Sequence, residues 1–144
     1  MKTIGIFAGL ALGATAALAS GNGKLMRAGQ WEITVTTEME GLSKLPPQTF
    51  SKCFKPEDVK EPKDILKKTS QPDCTQKDLK IDGNKVSWSI ECHKNGGTQT
   101  GTGEVTYAGE AYEGVTRLQL SDPRLGNRNV VSRSKARRTG ECTE

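Results

Sequence analysis

The sequence is poor in the residues that most often carry chemistry. Among its 144 residues there is one histidine, there are four cysteines with no C-x-x-C spacing, and aromatic side chains reach only 5%. Zinc, haem and iron–sulfur sites need clustered Cys and His ligands, so no metal and no cofactor is expected. After position 19 no apolar run approaches the roughly 20 residues that a helix needs to cross a bilayer. No internal repeat or low-complexity tract occurs. Apolar residues are 33% of the whole, but they crowd into the first 19 positions and leave 35 of the remaining 125, or 28%. A single domain with a thin core follows.

The first 19 residues read as a signal peptide. Lys2 supplies a positive start, Ile4 to Leu12 an apolar stretch, and Ala17-Leu18-Ala19 the small-x-small pattern of a cleavage site. Cleavage after Ala19 leaves residues 20–144 as one β domain, with no transmembrane segment and no nearby cysteine to carry a lipid, since the first is Cys53. The expected location is periplasmic or secreted, in a bacterium. In such an oxidising compartment Cys53, Cys74, Cys92 and Cys142 should form two disulfides.

Beyond a polar lead from Ser20 to Arg27, hydropathy keeps a period of two. Trp31, Ile33, Val35, Thr37 and Met39 alternate with Glu32, Thr34, Thr36, Glu38 and Glu40, which describes a half-buried strand. Gln48 to Phe54 is a second strand with Phe50 and Phe54 on one face. Pro56-Glu57-Asp58 and a later Lys67-Lys68 pair have the charge order that a helix dipole favours, and Pro62 between them divides the run into two short turns. Leu79 and Ile81, the turn Asp82-Gly83-Asn84, then Val86, Trp88, Ile90 and Cys92 form a hairpin with matching apolar faces. Thr98 to Tyr107 points Val105 and Tyr107 inward. Ala111 to Ser121 has Tyr112, Leu118 and Leu120 on one face, and Asn127 to Glu141 is the last strand. The fold class is all-β: an antiparallel meander of about seven strands, a curved sheet or partly open barrel with one short helical excursion.

Side-chain phase suggests how the cysteines pair. Cys74 is out of phase with Leu79 and Ile81, Cys53 is out of phase with Phe50 and Phe54, and Cys92 is in phase with Trp88. Cys53 is therefore expected to bond Cys74, and Cys92 to bond Cys142. A Cys74–Cys92 bridge would require a bulge.

No catalytic residue is assigned. The only histidine, His93, precedes the Lys94-Asn95-Gly96-Gly97 turn and reads as solvated. Glu104 and Glu113, the best candidate carboxylate pair, fall on the outer face, and Gly96 to Gly103 lacks the lysine and helix of a phosphate loop. One charge feature stands out: Arg124, Arg128, Arg133, Lys135, Arg137 and Arg138 fall in a stretch with no acid. Arg133, Lys135 and Arg137 alternate with Ser132, Ser134 and Ala136, a positive row that could attract an anionic surface. Its plainer reading is an edge strand guarded by charge.

Several segments resemble a known family. They are Gly29-Gln30-Trp31-Glu32-Ile33-Thr34-Val35, Pro46-Pro47-Gln48-Thr49 leading to Cys53-Phe54-Lys55-Pro56-Glu57-Asp58, Cys74, and Gly83-Asn84-Lys85-Val86-Ser87-Trp88 running to Cys92. Gly101-Thr102-Gly103-Glu104-Val105-Thr106-Tyr107, Tyr112-Glu113-Gly114 and Arg137-Arg138-Thr139-Gly140-Glu141-Cys142 complete the set. Together they resemble the bacterial domain of unknown function family numbered 3617, small exported proteins with four cysteines. That resemblance implies no activity and no catalytic residues. The last strand departs from the family in being strongly basic. A further likeness, to the calycin or lipocalin-like barrels, rests on Gly29-x-Trp31 and a late arginine, and implies that Arg138 stacks on Trp31.

Two functions are consistent with these features. The first is a non-enzymatic exported protein that holds a small apolar or amphipathic ligand on a concave sheet face against Trp31, Met39, Trp88 and Tyr107. The alternative is a surface interaction module whose Arg133, Lys135, Arg137 and Arg138 bind an anionic envelope component or partner protein. The compartment disfavours nucleic acid, and the sequence does not report oligomeric state.

Overall fold

Alternation of apolar and polar residues builds one sheet. The computed structural model describes residues 25–143, so the signal peptide expected at 1–19 lies outside the described residues. The strands are β1 (Gly29–Met39), β2 (Gln48–Phe54), β3 (Cys74–Asp82), β4 (Lys85–Lys94), β5 (Gly97–Tyr107), β6 (Ala111–Asp122) and β7 (Gly126–Gly140). They lie in the order β2-β1-β7-β6-β5-β4-β3 with every neighbouring pair antiparallel. The edges β2 and β3 do not pair, so the sheet is not closed.

Register arranges the inner side chains in rows that cross the sheet. Ile33, Ala136, Tyr112 and Tyr107 form one row, and Val35, Ser134, Gly114, Val105 and Val86 the next. Then come Thr37, Ser132, Thr116, Gly103 and Trp88, followed by Met39, Val130, Leu118, Gly101 and Ile90. The first row is buried throughout, and the second is buried at Val105 and Val86 and half-buried at Val35, Ser134 and Gly114. A 3-10 turn at Pro56–Asp58 and the helix α1 (Pro62–Thr69) join the two edges and bring Val59, Ile65 and Leu66 into the core with Trp31, Phe54 and Val86. The expected break at Pro62 holds: proline starts α1, Asp64 lies in its first turn, and Lys67 and Lys68 lie in its last.

The lead segment read as polar also contributes. Leu25 and Met26 are buried, anchored where the Arg27 N–H donates to the Gly109 carbonyl at 2.9 Å and the Gly109 N–H donates to that of Leu25 at 3.1 Å.

Three expectations are overturned. The disulfides are Cys53–Cys142 and Cys74–Cys92, so neither Cys53–Cys74 nor Cys92–Cys142 forms. The register sums change between Lys77 and Lys80, where Asp78 takes a positive φ of 55°, and this bulge turns Cys74 onto the face of Cys92, its direct partner. Cys92 is level with Arg128, through Gln99 and Leu120. That leaves it roughly 40 Å of strand from the end of β7 that leads to Cys142.

Leu79 and Ile81, expected inside, are 40% and 56% exposed because β3 is an edge with no neighbour beyond it. The guarded-edge reading of the basic strand also fails: β7 runs between β1 and β6.

Candidate functional site

The four residues proposed to hold a ligand fall into two environments. Trp31 is fully buried, stacked on Tyr112 with ring centroids 5.7 Å apart and edge-on to Phe54 at 6.2 Å, and its Nε1–H donates to the Arg27 carbonyl at 3.0 Å. Tyr107, 2% exposed, lies 5.8 Å from Tyr112. Burial pushes the Tyr107 hydroxyl far above the usual phenol range, with a smaller push from Tyr112, and burial alone raises Tyr112 to about 12. Trp31 and Tyr107 are core, with no surface left for a ligand. Trp88, at the border of the same core cluster, and the half-buried Met39 lie farther along the inner face, in adjacent rows near opposite sides of the sheet.

Trp88 is the unusual member. Its indole occupies the space over Gly103, where an added Cβ would come within 2.4 Å of ring carbons and 2.8 Å of Nε1. Trp88 is 8% exposed, and among the described residues its Nε1 is the one buried side-chain polar atom without a hydrogen-bond partner. Beyond Gly103 the same row continues with Thr116, Ser132 and Thr37, all half-buried, with the last two hydroxyls 3.5 Å apart. Gly101 is needed for a different reason: a Cβ there would meet the Arg117 carbonyl of β6 at 1.8 Å.

The basic row projects from the outer face of β7, but it is interleaved with acids. Arg137 donates from Nε and Nη2 to Glu32 at 3.2 and 3.1 Å, and Lys135 lies 3.7 Å from Glu113. Arg133 is exposed between Thr36 and Val115. Nearby, Lys44 at 3.0 Å holds the Glu38 carboxyl below its usual range, helped slightly by Arg133.

Arg138 does not join this row. It points to the inner side, donating from Nε to the Ala28 carbonyl at 2.8 Å and from Nη2 to Glu141 at 2.7 Å. The expected stack of Arg138 on Trp31 is absent among the described residues: the indole stacks on Tyr112 and meets Phe54 edge-on, while the guanidinium is held by Ala28 and Glu141. His93 is exposed at the end of β4, 2.6 Å from Glu91. Among the described residues no three His, Cys, Asp or Glu side chains cluster as a metal site would require.

The model of a family described as protein of unknown function (DUF3617) matches residues 26–142, which takes in the whole sheet, the helix and both disulfides. The chain belongs to the DUF3617 family. No curated protein and no solved structure matches it. In this DUF3617 protein the residues that sequence reasoning passed over are Thr37, Thr116, Ser132 and, on β5, Gly101 and Gly103. Gly101 and Gly103 share the phase of Val105 and Tyr107, so the missing side chains on an otherwise inward-facing strand were the available signal.

Proposed function

We propose that this DUF3617 protein is an exported, non-enzymatic binder of a small apolar or amphipathic molecule seated on the inner face of its open sheet. One observation carries the reading: beyond the core cluster that face is only partly covered. The core cluster ends at Trp88 and the partly exposed Val35 and Ile90, and farther along the same strands Thr37, Met39, Thr116, Leu118 and Ser132 are half-buried and outside it, beside the buried Val130 and Leu120. A sheet face that served only to make a core would be covered throughout.

Export is supported by the first 19 residues and by two disulfides, which persist in oxidising compartments. No described helix is long and apolar enough to cross a membrane. The anionic-surface alternative has less support, because Glu32 and Glu113 oppose Arg137 and Lys135 and exposed ion pairs leave little net field.

Native mass spectrometry of protein purified from its own compartment tests the binding reading. A retained small molecule, released on unfolding, is the expected result. An unliganded mass, together with tryptophan fluorescence that no apolar probe moves, would overturn it.

A further inference from the structure

The orphaned indole N–H of Trp88 and the residues beside it have a common explanation. A buried donor left without a partner costs about 1–3 kcal/mol, and native proteins keep few of them. Here the group is more than nine-tenths covered and lies over a glycine, at the start of a row that runs on to the hydroxyls of Thr116, Ser132 and Thr37. The adjacent row is apolar, with Ile90, Leu118, Val130 and Met39, and at Gly101 the backbone of β6 takes the place of a side chain. A polar strip thus runs alongside an aliphatic strip from β4 to β1, a span of about 19 Å at ordinary strand spacing.

Neither row contains a cation. Of the nearest inward arginines, Arg128 donates to the Leu125 and Glu40 carbonyls and Arg138 to Ala28 and Glu141. A carboxylate or phosphate placed here would be desolvated without a counter-charge, whereas a neutral acceptor would lose far less.

We propose that the partly covered end of the inner face, from the border of the core at Trp88 onward, binds a neutral amphiphile, whose carbonyl or hydroxyl head accepts the Trp88 Nε1–H while its aliphatic chain lies along the half-buried Met39 and Leu118. This rests on the reading of the protein as a small-molecule binder and names the site and the ligand class. The hydroxyls of Thr116 and Ser132 supply further donors and acceptors for the head. Trp31 plays no part, because its own N–H is already bonded to Arg27.

The chain has two tryptophans, so a nitrogen-15 spectrum of the intact oxidised protein contains two indole signals, and that of Trp31 is an internal control. Monodecanoylglycerol, titrated below its micelle concentration, should shift the Trp88 signal and leave that of Trp31 in place. Sodium decanoate, with the same chain and a charged head, should bind at least about tenfold more weakly. Trp88→Phe should weaken monodecanoylglycerol binding by up to about tenfold.

Ser132→Phe fills the strip from a half-buried position outside the core cluster, and should abolish binding without loss of fold even if the Trp88 variant fails to fold. Binding that leaves the Trp88 signal unmoved, or that survives Ser132→Phe, would overturn the site. Decanoate binding as tightly as the ester would overturn the neutral-head assignment. If neither amphiphile binds while native mass spectrometry shows another retained molecule, this site falls and the binding function stands. If nothing is retained either, both fall.

Discussion

The two ends of the inner face are built from the same strands with the same alternation, yet they differ in what covers them. At one end Trp31, Tyr112 and Tyr107 pack beneath Leu25, Met26, Ile65 and Leu66 in a continuous apolar cluster. At the other, Thr37, Ser132 and Thr116 are half-buried beside Met39 and Leu118, outside that cluster. Each end also has its own disulfide, Cys53–Cys142 beside the buried Phe54 and Cys74–Cys92 level with Leu120. The difference shows that a strand's pattern defines an inward face without deciding whether that face becomes core. Stability is concentrated where a second layer arrives, and the bare end is left for other uses.

The disulfides give the largest test of this contrast. In the chain-entropy treatment, a crosslink across 89 positions is worth about 4.5 kcal/mol and one across 18 about 3 kcal/mol. Urea unfolding of Cys53→Ala/Cys142→Ala should therefore show the greater loss, and Cys74→Ala/Cys92→Ala the smaller. Deleting Asp78 should rephase β3 and leave Cys74 and Cys92 reactive to a thiol reagent, while Cys53–Cys142 stays intact.

Core truncation compares the ends directly. Trp31→Ala should cost about 4 kcal/mol, whereas Leu118→Ala, half-buried in the uncovered end, should cost about 1 kcal/mol. Equal losses would mean that both ends are packed alike.

Alkaline pH should act on the covered end alone, because both tyrosines lie there. Below the ordinary phenol value of 10 both folded and unfolded states keep their protons, so stability is flat. Above it the unfolded chain ionises while the folded one resists, and folding should lose about 2 kcal/mol for Tyr112 by the time its raised value of about 12 is reached. Tyrosinate absorbance should rise together with unfolding, and Tyr112→Phe should shrink the loss. The smallest effect belongs to the bare end: Thr37→Val should change stability by less than about 0.5 kcal/mol in the same urea experiment.

Much of the architecture was legible before the structure. The alternation in Trp31 to Met39, the span of Gln48 to Phe54, the Asp82-Gly83-Asn84 turn and the break at Pro62 all act over a few residues, where local sterics and hydropathy dominate. The basic row was legible as a row, but its neighbours Glu32 and Glu113 come from 105 and 22 positions away in the chain. Of the four proposed ligand residues, Trp31 and Tyr107 went to the core because covering segments reached their end of the sheet. Sequence reasoning had no means of locating Leu25, Met26 and α1 above those particular rows.

By itself the sequence determined which side chains share a face, because a strand's phase is a local property that repeats every two residues. It also determined that the chain would be a crosslinked, thinly cored β protein. Only the tertiary structure decided which cysteines meet, since one extra residue at Asp78 reverses the phase of everything before it on β3. It alone decided which half of the inner face is covered, since that depends on where distant segments dock and not on any pattern within the strands.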